Sequence, residues 1–350
     1  MKTYLITGGA GFIGSNYILQ LLESAEPMKI INLDALTYAG NLENLQSIEK
    51  DPRYLFIHGN ICDETLLNDI FTKNQIDYVV NFAAESHVDR SIAEPRIFLD
   101  TNVGGTFQLL NAAKQAWEEA DGKFRAGVKF LQISTDEVYG SLGETGLFTE
   151  TTPLDPHSPY SAAKTSADLF VKAYVDTYGF PANITRCSNK YGPWQFPEKL
   201  IPLVINNAIN GRSIPVYGDG GNIRDWLYVA DHCRAIQMVL TQAKPGETYN
   251  IGGNNERKNI EIVNLILDAV RRRGYEKSTA DLITYVTDRK GHDRRYGIDP
   301  AKIKNDLDWE PQVSFGEGIK NTVDWYLGHM DWMKKVTDGS YMTYYQQMYG

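Results

Sequence analysis

Thr7-Gly8-Gly9-Ala10-Gly11-Phe12-Ile13-Gly14 closes the first apolar run of the chain and opens its first helical pattern. Glycines 8, 11 and 14 make a GxxGxxG spacing. A tight turn without Cβ atoms lets the backbone approach a pyrophosphate, whose charge then rests on free N–H groups at a helix N-terminus. Glycine also gathers in ordinary turns, so the run needs its context. Thr3–Thr7 reads as a strand, Ile13–Ser24 as an amphipathic helix, and Asp34 ends the next strand 20 residues after Gly14. A carboxylate there accepts hydrogen bonds from an adenosine ribose diol and repels a 2′-phosphate. Its neighbours Ala35 and Leu36 bring no cation. This favours NAD over NADP; the alternative is a structural strand-end loop with a solvated aspartate.

Outward from that loop, β-rich runs alternate with helical stretches. Lys29–Asp34, Tyr54–His58, Tyr78–Phe82, Lys129–Ser134 and Ala182–Arg186 read as further strands. Glu64–Lys73 and Asn102–Glu118 lie between them as helices. Such alternation predicts an α/β fold, a Rossmann-type doubly wound parallel sheet covered on both faces. After Tyr191 proline and glycine become frequent, which predicts a smaller α/β substrate-binding domain. The expected partition is 1–190 for the NAD-binding domain, rejoined by about 225–253, with 191–224 and 254–330 forming the second domain and 331–350 a C-terminal tail. Arg271-Arg272-Arg273 reads as a dipole-matched helix terminus rather than a binding patch.

The length of 350 residues accommodates two fused domains. Lys and Arg number 35 against 44 Asp and Glu, a net charge of −9 that argues against nucleic acid or an anionic membrane as partner. No apolar run approaches the roughly 18 residues of a membrane span, and no signal peptide is evident, so a soluble cytoplasmic protein is expected. Cys62, Cys187 and Cys233 read as small buried hydrophobes, with no metal spacing; no metal is expected.

Two segments carry candidate chemistry. Tyr160-Ser161-Ala162-Ala163-Lys164 places a phenol and an ammonium four apart on one helical face, where the cation can stabilise a phenolate. A tyrosine so lowered can take a hydroxyl proton while hydride leaves the same carbon. Ser134-Thr135-Asp136-Glu137-Val138-Tyr139-Gly140 lies just past a strand's carboxyl end, where open α/β sheets hold their ligands. Alcohol oxidation has no use for two adjacent carboxylates, whereas elimination of water needs an acid and a base. Neighbouring carboxylates repel, which lets one stay protonated. A solvated acidic turn or a loop cap is the alternative.

With these motifs the chain resembles the dTDP-glucose 4,6-dehydratase family, an extended branch of the short-chain dehydrogenase/reductases. Further motifs that carry the likeness are Asp34–Asn41, Ala83–Ser91, Arg186–Asn189, Phe196–Pro202, Tyr217–Gly220, Arg224–Trp226 and Asp288–Tyr296. The resemblance implies an NAD-dependent hydro-lyase that converts dTDP-glucose to dTDP-4-dehydro-6-deoxyglucose, in deoxysugar (for example dTDP-rhamnose) biosynthesis. Tyr160 is then the oxidation base, Lys164 binds the nicotinamide ribose, and Thr135 assists by hydrogen bonding. Glu137 takes the C5 proton and Asp136 protonates the leaving C6 hydroxyl. NAD contacts fall to Gly8, Gly11, Phe12, Ile13, Gly14, Asp34, Ala35, Leu36, Thr37, Asn60, Ile61, Phe82, Ala83, Ala84, Ser86, Thr101 and Ser134, with Tyr160 and Lys164. The nucleotide sugar falls to His87, Asn189, Glu198, Lys199, Leu200, Pro215, Tyr217, Arg224, Asn259, Arg289, His292 and Tyr296, with Thr135, Asp136 and Glu137.

Asn60 stands where an acid is usual, Lys190 where Asn is common, and Trp194-Gln195 also departs from the pattern. A homodimer joined through the Asn102–Glu118 and Tyr160–Tyr178 helices is implied. A nucleotide-sugar 4-epimerase shares the glycine loop, Tyr160 and Lys164 but has no use for Asp136 with Glu137. A GDP-mannose dehydratase would be expected to favour NADP, against Asp34. A non-catalytic NAD-binding protein would be free to lose the tyrosine or the lysine.

Overall fold

The computed structural model describes residues 1–337. Seven strands build the main sheet: β1 (Lys2–Thr7), β2 (Met28–Asp34), β3 (Tyr54–His58), β4 (Tyr78–Asn81), β5 (Lys129–Thr135), β6 (Ala182–Cys187) and, after three strands of the smaller layers, the edge strand β10 (Thr248–Ile251). The three between are β7 (Asn189–Tyr191), β8 (Ile214–Tyr217) and β9 (Ile223–Tyr228), and β11 (Glu256–Lys258) and β12 (Ile283–Val286) follow. The order across the main sheet is β10-β6-β5-β4-β1-β2-β3, and every pairing is parallel. The expected doubly wound sheet is present, with strand order reversing beside β1, where such sheets bind dinucleotides. β1, β4 and β5 are almost wholly buried because helices cover both faces. One face packs Ile18, Ile236 and Trp309; the other packs Leu67, Leu110 and Phe180.

A three-stranded sheet, β11-β9-β7, and the β12-β8 pair form the smaller layer beyond the carboxyl edge of β5 and β6. Its core joins Tyr191, Ile205, Trp226, Ile266 and Tyr326. Three segments pack in ways the sequence-based partition did not foresee. β9 pairs with β7 in the smaller sheet, so only helix Val229–Gln242 and β10 return to the main one. Ile303, Leu307 and Trp309 fill the main core. Helix Met330–Val336 buries Trp332 and Met333 in the smaller core, while the rest of the expected tail, 338–350, lies outside the described residues.

The helix expected over Asn102–Glu118 opens instead as a π-helical turn, Leu99–Gly105, and becomes α-helical over Thr106–Trp117. A Cβ on Gly105 would sit 2.6 Å from the Ile61 side chain, so any larger residue in this widened turn would force Ile61 to shift. Cys187 and Cys233 are buried as expected, but Cys62 is exposed, its thiol 3.4 Å from the Asp100 carbonyl, because it follows β3 in a surface turn. Arg271 and Arg273 at their helix end pair with Asp268 and Asp324, as a terminus rather than a patch would. No helix among the described residues is long and apolar enough to cross a membrane.

Candidate active site

The glycine loop divides its labour. Gly8 has φ +69°, and a Cβ there would meet the Ala83 backbone at 2.7 Å. A Cβ on Gly14 would lie 2.5 Å from the Gly8 carbonyl oxygen. Both glycines therefore serve the close packing of loop and strands. Gly11 differs: among the described residues a Cβ there would have one neighbour within 4 Å, that carbonyl oxygen, at 3.3 Å. It caps helix Phe12–Glu23 with no side-chain cap and no acid in the first turn, which leaves the N–H groups facing the cleft for an anion. Gly11→Ala should fold with an NAD-free melting temperature close to that of the NAD-free wild type yet lose NAD readily on gel filtration, whereas Gly14→Ala should melt lower. Equal NAD retention by Gly11→Ala and wild type would contradict this assignment.

Asp34 ends β2 with its carboxylate held by two backbone donors, Ala10 N–H and Leu36 N–H, each at 2.8 Å. Burial pushes its pKa up, and the two N–H groups oppose that rise. Leu36, with φ +50°, turns its amide onto Asp34 and so helps to hold the carboxylate. Every other residue expected to contact NAD lines one cleft of about 1610 Å³. An uncapped helix start, a fixed carboxylate and an open face at Gly11 fit a dinucleotide. Ala39, Gly40, Gly59, Lys190, Gln195 and Phe196 line it too. Ala39, Gly40 and Phe196 sit inside motifs already quoted for the family likeness, which is the signal that could have found them; Gly59, Lys190 and Gln195 do not.

β5 delivers the acid pair. Thr135 is its last residue, and Asp136–Tyr139 make a 3-10 turn whose start is capped by the Thr135 hydroxyl accepting from Glu137 N–H at 3.3 Å. That hydroxyl donates to Asp136 Oδ1 at 3.2 Å. Asp136 is 2% exposed, and its Oδ2 has no hydrogen-bond partner among the described residues. Burial raises its pKa to about 7; the Lys190 cation opposes the rise and the Glu137 charge adds to it. Glu137 is also raised by burial, against the pull of Lys199, Arg224, Arg289 and Lys190. It lines both the cofactor cleft and the neighbouring cleft, so it stands where the two meet.

Helix Pro159–Tyr178 starts with a Ser158–Ser161 capping box and Pro159 in its first turn, which fixes the pitch of Tyr160 and Lys164. Both line the cofactor cleft beside Thr135. Lys164 donates to the Ile133 carbonyl at 2.6 Å, and burial lowers its pKa to about 8. The expected lowering of the Tyr160 phenol is not met by the protein alone. Burial raises it, the Glu137 charge adds to that, and the Thr135 hydroxyl opposes it. Asp168, which sequence reasoning missed, forms a buried pair with Arg186 at 2.9 Å and ties this helix to β6.

The second cleft, about 1090 Å³, takes in His87, Asn189, Glu198, Lys199, Leu200, Pro215, Tyr217, Arg224, Asn259, Arg289, His292 and Tyr296. Thr135 and Asp136 stay on the cofactor side. Arg224 is braced by the Ile223 and Asp293 carbonyls, at 2.7 and 2.8 Å, over the Tyr296 ring. Lys199 donates to the Ser86 carbonyl at 2.9 Å. The pKa of His87 is driven well down by burial and the nearby Lys199, Arg289 and Arg90. Three cations converging beside Glu137 suit a polyanionic ligand. Trp226 and Asp293, not assigned from sequence, also line this cleft.

A family model described as GDP-mannose 4,6 dehydratase matches residues 5–322. The dTDP-glucose 4,6-dehydratase of Xanthomonas campestris pv. campestris (strain B100) is 54% identical over 344 residues, 97% of each chain. The chain belongs to the dTDP-glucose 4,6-dehydratase family. Of solved structures, the dTDP-glucose 4,6-dehydratase of Streptomyces venezuelae with NAD and TYD bound is 45% identical, with a TM-score of 0.88 over 95% of this chain and 99% of that one. The Thermotoga maritima UDP-glucose 4-epimerase with UDP-glucose stands further off, at 31% identity and a TM-score of 0.83 over 94% and 99%. The scaffold is thus common to dehydratases and epimerases, and what separates this chain from the latter must be sought at the site.

Proposed function

We propose that the chain is an NAD-dependent hydro-lyase that converts dTDP-glucose to dTDP-4-dehydro-6-deoxyglucose and water. The observation that carries this is the acid pair beside Tyr160, with Asp136 on the cofactor side and Glu137 where the two clefts meet. Bound NAD supplies an acceptor for the C4 hydride and the donor of a hydride to C6. Tyr160 takes the C4 hydroxyl proton, with Lys164 and Thr135 around it. The resulting ketone acidifies C5–H, and Glu137 removes that proton. Asp136, kept partly protonated at neutral pH by burial, protonates the departing C6 hydroxyl as water. Glu137 then returns a proton to C5.

A 4-epimerase would need neither Asp136 nor Glu137, and that relationship is the more distant one. Incubation with dTDP-glucose should give the alkali-sensitive 4-keto-6-deoxy chromophore. Recovery of dTDP-galactose without that chromophore would transfer the case to the epimerase.

The residue assignments and the division into a cofactor unit and a nucleotide-sugar unit belong to the same proposal. So does a homodimer: Phe107, Leu169, Phe170 and Tyr178 are exposed apolar residues on the two helices expected to pair, and Ile97 and Leu99 adjoin them. An apolar face of that extent suits a self-complementary contact. Sedimentation at twice the chain mass, lost in Leu169→Arg/Phe170→Glu, is the expected result; an unchanged dimer in that variant would remove this surface from the interface. A cytoplasmic place and a role in supplying deoxysugars such as rhamnose fit a charged nucleotide-sugar substrate.

A further inference from the structure

Asp89 sits on the short helix Val88–Ala93 that follows β4, and it lines neither cleft. Its side chain is 7% exposed. Three residues of the second cleft nevertheless converge on it. Arg289 donates from Nε to Oδ1 at 2.7 Å and from Nη2 to Oδ2 at 2.5 Å, a two-pronged pair. Tyr217 donates its hydroxyl to the same Oδ2 at 3.2 Å. His87 Nδ1 stands 3.7 Å from it. The guanidinium also lies over the Tyr217 ring, 4.9 Å from its centroid. Arg289 and Tyr217 come from the smaller layer, Asp89 and His87 from the main one, so this carboxylate ties the layers at the wall of the second cleft.

We propose that Asp89 is a positioning residue that aims Arg289 at the diphosphate of the nucleotide sugar. The inference rests on the nucleotide-sugar reading above and assigns part of its diphosphate grip. Two effects oppose each other. The carboxylate offsets the charge of Arg289, which by itself would weaken an anion site. It also fixes the plane of a long, flexible side chain and leaves Nη1, which makes no hydrogen bond among the described residues, turned away from the pair. A planar fork recognises phosphate only when its plane is set, and a wandering arginine gives up rotamer freedom on each binding event. With Arg289 mostly buried there is little water to orient it instead, so the orientation effect is the larger one.

The test is the binding of thymidine diphosphate and of thymidine to the NAD-loaded protein by calorimetry, with steady-state kinetics alongside. Asp89→Asn should weaken thymidine diphosphate about tenfold or more and leave thymidine within about twofold. KM for the nucleotide sugar should rise in step, with kcat nearly unchanged. In an Arg289→Ala background the same change should cost little further, because Asp89 acts through that arginine. Asp89→Glu, keeping the charge, should recover part of the loss. Tighter thymidine diphosphate binding in Asp89→Asn would show that charge offset outweighs orientation and would overturn the proposal. Equal weakening of nucleoside and diphosphate would do the same, marking a merely structural role. A wild-type protein that binds no thymidine diphosphate would instead defeat the nucleotide-sugar reading itself.

Discussion

Glu137→Gln should lower turnover of dTDP-glucose by about 10³-fold, within the range ascribed to a positioned general base, while leaving oxidation at C4 intact. The amide keeps the size of the side chain and its place at the junction of the clefts but cannot take a proton from carbon. With deuterium oxide as solvent, the wild type should carry deuterium into C5 of the product, and the variant should show none in substrate or product. Substrate labelled at C4 should still lose its label to the bound nicotinamide on mixing. The physical ground is the setting of the carboxylate. Burial raises its pKa, against the pull of Lys199, Arg224, Arg289 and Lys190, which gives the carboxylate more basicity than an exposed glutamate. Turnover within tenfold of wild type, or C5 exchange surviving in the variant, would remove Glu137 from the base role.

Those four cations explain what could be read from the chain and what could not. The glycine loop, Asp34 and the alternating strands were legible because each is local: a turn that needs no Cβ, a carboxylate at a strand end, a period of apolar residues. Asp136 and Glu137 were legible as neighbours, but their protonation was not. Lys190, Lys199, Arg224 and Arg289 lie 53 to 152 positions further along and reach Glu137 only through the fold. Asp89 was quoted within a motif and given no task, since its partner Arg289 is 200 positions away. Tyr160 with Lys164 was read as a phenol lowered by an ammonium; in the folded protein Lys164 bonds the Ile133 carbonyl, and burial governs the phenol. That the Leu36 amide holds Asp34 was not legible, because it depends on a positive φ that the sequence does not announce. Spacing reveals which residues are neighbours on one element; charge state and aim are set by elements that meet only in three dimensions.

Asp136→Asn should be nearly inactive, about 10²-fold or more below wild type as expected for loss of a general acid, and more stable than wild type at alkaline pH. Both follow from the same burial. A carboxyl near its ordinary value of 3.8 would be protonated in roughly one molecule in 10³ at pH 7, too few to protonate a leaving hydroxyl efficiently. Raised to about 7, Asp136 is protonated in a large share of molecules at neutral pH, and kcat should fall as pH climbs past that value. The folded state holds this proton over the interval between 3.8 and about 7 in which the unfolded chain has released it. Stability therefore falls as pH rises through that interval and levels off above it, a total of about 4 kcal/mol at 1.36 kcal/mol per unit. An asparagine has no proton to lose. Urea denaturation of the two proteins should show the variant gaining about 3 kcal/mol on wild type between pH 5 and pH 8, nearly all of it below pH 7. A stability difference that stays constant across that range would mean that Asp136 is ionised throughout, and the acid in the elimination would have to be another group.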